Sequence, residues 1–200
     1  MPVARATGWP YILPVMKNHT QPAKPASVLG VVLAGGQSRR FGSDKALAEV
    51  DGESLLSLMI TALRPYCDTV IVAGRDQAPA PTVADWPRAG LGPLGGLAGA
   101  LSYAQANGFA SVLTCGVDSM GLPDGLLQLL SPPPAILDSQ PVIGHWPTRI
   151  LPQLQDFLAD EGKNAMWRFA DAVGAARVAS SQPPANINRP DDLKALRRDR

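Results

Sequence analysis

Three apolar runs constrain this chain more than any other feature: VLGVVLA from Val28, TVIVAG from Thr69 and SVLTCGVD from Ser111. Each is a β-branched stretch without polar alternation, the texture of a strand covered on both faces of a parallel sheet. Segments with helical spacing, SLLSLMITALRP and GGLAGALSYAQANG, separate them. Strands that alternate with helices predict an α/β architecture with a parallel sheet. Shorter apolar pieces at PTVAD, PAILD and AARVA, with helices at DGLLQLL, TRILPQLQDFLAD, NAMWRFADAV and PDDLKALRR, carry the pattern through the second half.

With 200 residues, 46% of them hydrophobic, the chain can bury the core of one domain. A net charge of +1 provides no global field to recruit nucleic acid or an acidic membrane, so positive charge has to act locally. Cys67 and Cys115 are far apart and belong to no Cys/His cluster, which argues against a disulfide framework or a zinc site and fits a reducing cytoplasm. The stretch GWPYILPVM is broken by Pro10 and Pro14 and is shorter than the roughly 18 residues of a spanning helix, so a soluble protein is expected. Residues 1–27, ending in KNHTQPAKPAS, lack an apolar period and are expected to be a flexible extension, with Met16 a possible alternative start. The domain proper is expected to span 28–200.

Ligands of such sheets bind beyond the carboxyl ends of the strands. After the first run comes LAGGQSRRFGSDKA, Leu33 to Ala46. Gly35 and Gly36 let backbone N–H groups approach an anion, while Arg39, Arg40 and Lys45 supply the charge a polyphosphate demands. The spacing is neither G-x-G-x-x-G nor a P-loop with Gly-Lys-Ser/Thr. Asp118, after the third run, is either a metal ligand or a helix cap, with Asp124 the better cap for GLLQLL. Asp85 and the Gly92-Pro93-Leu94-Gly95-Gly96 turn have bland readings as loop and helix start. His145 has no accompanying G-x-S-x-G, so hydrolase chemistry is disfavoured and a structural role is expected. Trp146, Trp167 and Phe169 are expected in the core.

The pattern L-A-G-G-x-S-x-R-h-G-x-D-K, with h hydrophobic, resembles the nucleotidyltransferase signature, and Gly-Gly with Asp-Lys resembles its molybdenum cofactor guanylyltransferase branch. Further matches are VADWPRAGLGPLGGLAGAL and NINRPDDL, so the resemblance covers Val28 to about Leu196. It implies a three-layer α/β/α, Rossmann-like (GT-A-like) fold with a mostly parallel central sheet. It further implies that Leu33, Ala34, Gly35, Gly36, Lys45 and Gly92 contact GTP, that Asp85 helps hold the guanine nucleotide, and that Asp118 binds Mg²⁺. Lys45, Arg39 and Asp118 would be catalytic, and Asn186 and Asn188 would lie on the acceptor side. Where the family writes Cys-Pro-x-Asp-Thr-Pro, this chain has Cys115-Gly116-Val117-Asp118-Ser119-Met120. The implied reaction is GMP transfer from GTP to molybdenum-bearing molybdopterin with release of pyrophosphate, the product passing to molybdoenzymes through chaperones. The alternatives are a different base or acceptor, such as cytidylyl transfer to molybdopterin or transfer to a sugar phosphate, and a non-catalytic nucleotide-binding homologue.

Overall fold

The computed structural model describes residues 27–35, 44–159, 165–187 and 192. The chain opens with β1 (Val28–Leu33), a 3-10 turn at Lys45–Leu47, β2 (Glu49–Val50), β3 (Glu53–Ser54) and α1 (Leu55–Leu63). Then come β4 (Thr69–Ala73), β5 (Thr82–Val83), α2 (Pro93–Ala106) and β6 (Ser111–Gly116). The second half adds β7 (Ser119–Met120), α3 (Leu126–Leu129), β8 (Ala135–Leu137), β9 (Gln140–Pro147), α4 (Leu151–Ala159), α5 (Met166–Ala172), β10 (Ala176–Val178) and β11 (Ala185–Asn186).

Seven strands form the main sheet in the order β10-β8-β9-β6-β1-β4-β5. β1 runs parallel to β4 and β6, β5 parallel to β4 and β10 parallel to β8, while β9 is antiparallel to both its neighbours. Successive β1 side chains point to opposite faces. Leu29, Val31 and Leu33 meet α2, α4 and α5, whereas Val28 and Val32 meet α1 and the residues of α3. Every β1 residue is buried, which is why the run shows no polar alternation. The three-layer α/β/α arrangement and the mostly parallel sheet match the expectation. None of the described helices is long and apolar enough to cross a membrane.

Strand β9 is the main element that the sequence reading does not contain. Pro141, Gly144 and Pro147 disguise QPVIGHWP as a loop, yet the strand pairs with both β6 and β8. Gly144 is needed there because a Cβ would stand 2.7 Å from the Trp146 indole. The β2–β3 hairpin is also absent from that reading, although Asp51-Gly52, both at positive φ, is the sequence signal for such a turn.

Trp146 and Phe169 are fully buried, with ring centroids 5.7 Å apart. Trp167 is not in the core: it is 46% exposed, with the Arg168 guanidinium 5.2 Å from its ring centroid. Met166, Phe169 and Ala170 take the inward stripe of α5, and Trp167, about 100° further round, falls outside it. His145 is structural, its ring nitrogens bonded to the Leu130 carbonyl at 3.1 Å and the Ser111 hydroxyl at 2.8 Å. Asp124 does not cap α3, whose N-cap is Gly125 in the left-handed region. The proposed extension and PDDLKALRR fall outside the described residues, except Ser27 and Asp192. Ser27 accepts the Ala110 N–H at 2.9 Å and so ties the start of β1 to β6.

Candidate nucleotide site

Leu33, Ala73 and Gly116 end β1, β4 and β6 in register, and Val83 ends β5 opposite Ala73. The ladder continues one step further, because Ala34 N–H donates to the Ala73 carbonyl at 3.0 Å and Val117 N–H to that of Leu33 at 3.2 Å. Four loops therefore leave one edge of the sheet together.

At the centre of that edge the backbone is bare. Gly35 and Gly74 lie against each other so closely that a Cβ on Gly74 would sit 2.5 Å from the Gly35 Cα. Gly74 also adopts φ +83°, which a side chain would strain. Leu33 and Ala34 are buried beneath this spot and Gly35 is exposed above it.

On one side stands Asp85. Its Oδ1 would be 3.3 Å from a Cβ on Gly74, and its Cβ 3.3 Å from one on Gly95, so glycine at both positions lets the carboxylate lie on bare backbone. Burial pushes its carboxyl above the usual range, and a hydrogen bond from the Gly90 backbone opposes that shift. Gly92, at φ 63°, N-caps α2, with Pro93 in the first turn.

On the other side, Lys45 and Asp118 meet. The Lys45 Nζ donates to Asp118 Oδ2 at 2.9 Å across 73 residues of sequence. Lys45 is buried, and Asp118 keeps 27% of its side chain accessible. Gly116 makes room for this carboxylate, since a Cβ there would be 2.5 Å from Asp118 Oδ1. The altered Gly116–Met120 turn thus still delivers an accessible carboxylate at the end of β6.

Strand β11 closes the far side. Asn186 pairs opposite Ser119, and Ile187 N–H donates to the Asp118 carbonyl at 3.0 Å. Asn186 is exposed next to the Asp118 turn. Gly36, Arg39, Arg40 and Asn188 lie outside the described residues.

Arg75 is the residue of this edge that sequence reasoning missed. Its Nη1 and Nη2 donate to Asp44 Oδ1 at 2.9 Å and Oδ2 at 2.6 Å. The available signal was positional, because Arg75 follows a parallel strand as the glycine loop and Asp118 do. The thiols take no part in this edge chemistry: burial pushes Cys67 up to about 12 and raises Cys115 as well, so neither is a nucleophile near neutral pH.

Residues 30–176 match the model of the MobA-like NTP transferase domain. The chain belongs to this family. A molybdenum cofactor guanylyltransferase of Rhizobium leguminosarum bv. trifolii is 32% identical over 86% of this chain and 93% of its own length. That of Vibrio cholerae is 32% identical over 85% and 91%. Among solved structures, the molybdopterin-guanine dinucleotide biosynthesis protein A of Archaeoglobus fulgidus superposes with a TM-score of 0.65 at 20% identity, covering 86% of this chain and 97% of that one. The 2-C-methyl-D-erythritol 4-phosphate cytidylyltransferase of Thermus thermophilus shares the fold, with a TM-score of 0.54 at 17% identity.

Among the described residues no three His, Cys, Asp or Glu side chains form a metal-binding group. The partly accessible Asp118 carboxylate, whose Oδ2 accepts from Lys45, is of the type that fits Mg²⁺, which retains several waters and is commonly held by one or two carboxylates plus substrate phosphates.

Proposed function

We propose that this chain transfers GMP from GTP to molybdenum-bearing molybdopterin, forming the guanine dinucleotide and releasing pyrophosphate. The observation that carries the reading is the meeting of Lys45 and Asp118 at 2.9 Å beside the Gly35–Gly74 backbone. Family membership and guanylyltransferase relatives at 32% identity support the choice of base and acceptor.

In this reaction an acceptor phosphate oxygen attacks the α-phosphorus of GTP in line, the bond to the β-phosphate breaks, and pyrophosphate leaves. Two anions have to approach, so charge neutralisation and alignment dominate over covalent catalysis. Leu33, Ala34, Gly35 and Gly36 offer backbone to the nucleotide, and Gly92 adds the start of α2. Asp85 lies on the opposite side of this backbone and helps hold the guanine nucleotide. Lys45, together with Arg39, takes the triphosphate and the charge of the departing pyrophosphate. Asp118 would hold a Mg²⁺ ion, which when bound neutralises phosphate charge. Asn186 and Asn188 are assigned to binding the acceptor. The site needs no membrane or nucleic acid, and we place the protein in the cytoplasm.

The test is a screen of the four ribonucleoside triphosphates with Mg²⁺, each offered molybdopterin or a sugar phosphate, with pyrophosphate release as readout. Release with GTP and molybdopterin is expected. Release with CTP would move the chain to cytidylyl transfer, release with a sugar phosphate would replace the acceptor, and nucleotide binding without release would make it a binding homologue.

A further inference from the structure

The 3-10 turn carrying Lys45 lies at the edge where β1 stands between β4 and β6. Consecutive side chains of this turn reach to opposite neighbours. Lys45 reaches Asp118, the second residue beyond the end of β6, and Asp44 reaches Arg75, the second residue beyond the end of β4. The Asp44 carboxylate is doubly used. Its Oδ1 caps the turn by accepting the Ala46 N–H at 3.1 Å and also accepts Arg75 Nη1, while Oδ2 accepts Nη2.

We infer that Arg75 is a positioning residue for Lys45: by gripping Asp44 from the end of β4, it fixes the turn from which Lys45 meets the triphosphate. This inference rests on the reading of Lys45 as a nucleotide ligand. The fork of a guanidinium matches a carboxylate with two parallel bonds and so fixes orientation as well as distance, which an ammonium cannot do. The remaining nitrogen, Nε, is buried without a partner among the described residues, so the directional bonding of Arg75 goes to Asp44. The pairing holds the Asp44 carboxyl below its usual range, with the Arg75 hydrogen bond the largest cause.

The pair is open to solvent on its carboxylate side, with 43% of the Asp44 side chain and 19% of the Arg75 side chain exposed. An ion pair so placed contributes little to global stability. Its effect is therefore local: a turn held at one end by Arg75 presents Lys45 pre-organised, and the nucleotide does not have to order it on arrival.

The test is a cycle of GTP dissociation constants, measured by calorimetry on the full chain, for wild type, Arg75→Met, Arg75→Lys, Lys45→Met and the double variant Arg75→Met/Lys45→Met, with melting temperatures as a check on folding. Arg75→Met is expected to weaken GTP about tenfold, within the range for side chains coupled through a shared partner. Arg75→Lys should recover part of that loss. In the Lys45→Met background, Arg75→Met should change affinity by less than about twofold, because the group it positions is gone. Asp44→Asn should reproduce Arg75→Met. Two outcomes overturn the inference: Arg75→Met binding GTP as wild type does while Lys45→Met binds weakly, or Arg75→Met costing the same tenfold in both backgrounds, which would mean direct phosphate contact. Normal GTP binding by Lys45→Met would instead remove the reading of Lys45 itself, and the inference with it.

Discussion

The two halves of the main sheet meet at β6 and are built differently. On the β1–β4 side the strands are parallel, joined by helices, and held by apolar side chains on both faces. On the β9–β8 side, side-chain hydrogen bonds secure an antiparallel insertion. Thr114 Oγ1 donates to the Val142 carbonyl at 2.8 Å, and the Trp146 indole donates to Thr114 Oγ1 at 3.1 Å. Ser119 Oγ donates to Gln140 Oε1 at 2.9 Å, and Gln140 Nε2 donates to the Pro184 carbonyl at 2.6 Å. That last chain ties β11, and with it Asn186, to the turn after Asp118. The contrast teaches that Gly35 and Asp118 sit directly at the ends of parallel strands, whereas Asn186, proposed above for the acceptor side, is held by backbone pairing with Ser119 and, in addition, by this buried polar chain. The two sides should therefore respond differently to substitution.

The largest effect expected is at their junction. Asp118→Ala should slow transfer by roughly 10²–10³-fold or more, the scale of losing an electrostatic contact made in the transition state, and leave much of GTP binding in place. Pyrophosphate release and calorimetric GTP binding on the same variant check this. Near-normal turnover at saturating Mg²⁺ would reduce Asp118 to a structural residue. Next comes Lys45→Ala, which should weaken GTP by about 1.5–3 kcal/mol and slow transfer too, because the cation serves ground and transition states alike.

Gln140→Leu sharpens the comparison directly. It strips partners from the buried Ser119 hydroxyl and Pro184 carbonyl, at a cost of about 1–3 kcal/mol for a buried unsatisfied group. The melting temperature should fall, and KM for the acceptor should rise while the GTP dissociation constant stays within about twofold, because the bonds of Gln140 run to Ser119 and Pro184 rather than to the glycine edge. A GTP affinity that falls in step with acceptor affinity would break the division into two sides.

The smallest effect concerns pH. Burial holds His145 below the ordinary imidazole value of 6.5, with the Leu130 carbonyl opposing. The folded protein then binds fewer protons than the unfolded chain between the depressed value and 6.5. His145 therefore contributes full stability above 6.5 and progressively less as pH falls toward its folded value. Denaturant midpoints from pH 7.5 down to about 5 should decline for wild type and decline less for His145→Gln.

The same contrast explains what could be read from the sequence. Doubly covered strands announce themselves, because burial on both faces demands the β-branched runs of β1, β4 and β6. The ends of those runs then point to the glycine loop and to Asp118 by topology, whereas the roles of Lys45 and Asp118 come from the family motif. Strand β9 is hidden because its prolines and glycine read locally as turn residues, while the strands it pairs with, β6 and β8, lie outside that window. Arg75 is hidden for a similar reason, since an arginine after Gly74 reads as a solvated turn until Asp44 is seen across from it. Trp167 illustrates the opposite error: hydrophobicity suggested burial, while the spacing of Met166, Phe169 and Ala170 already assigned it to the outer face.

The glycines of α2 bear on any attempt to make this protein more heat-resistant. Replacing glycine by alanine inside a helix ordinarily stabilises by about 1 kcal/mol, and Gly95, Gly96 and Gly99 all invite it. At Gly99 the usual gain reverses sign, because the obstacle there is backbone. A methyl group on Gly99 would collide with the Ala84 carbonyl, and one on Gly96 would stand 2.9 Å from Leu33 Cδ2. Relief at Gly99 would require the segment leading to Asp85 to lift away from the helix. A thermostability design guided by helix propensity alone would therefore displace Asp85, the residue proposed above to hold the guanine nucleotide.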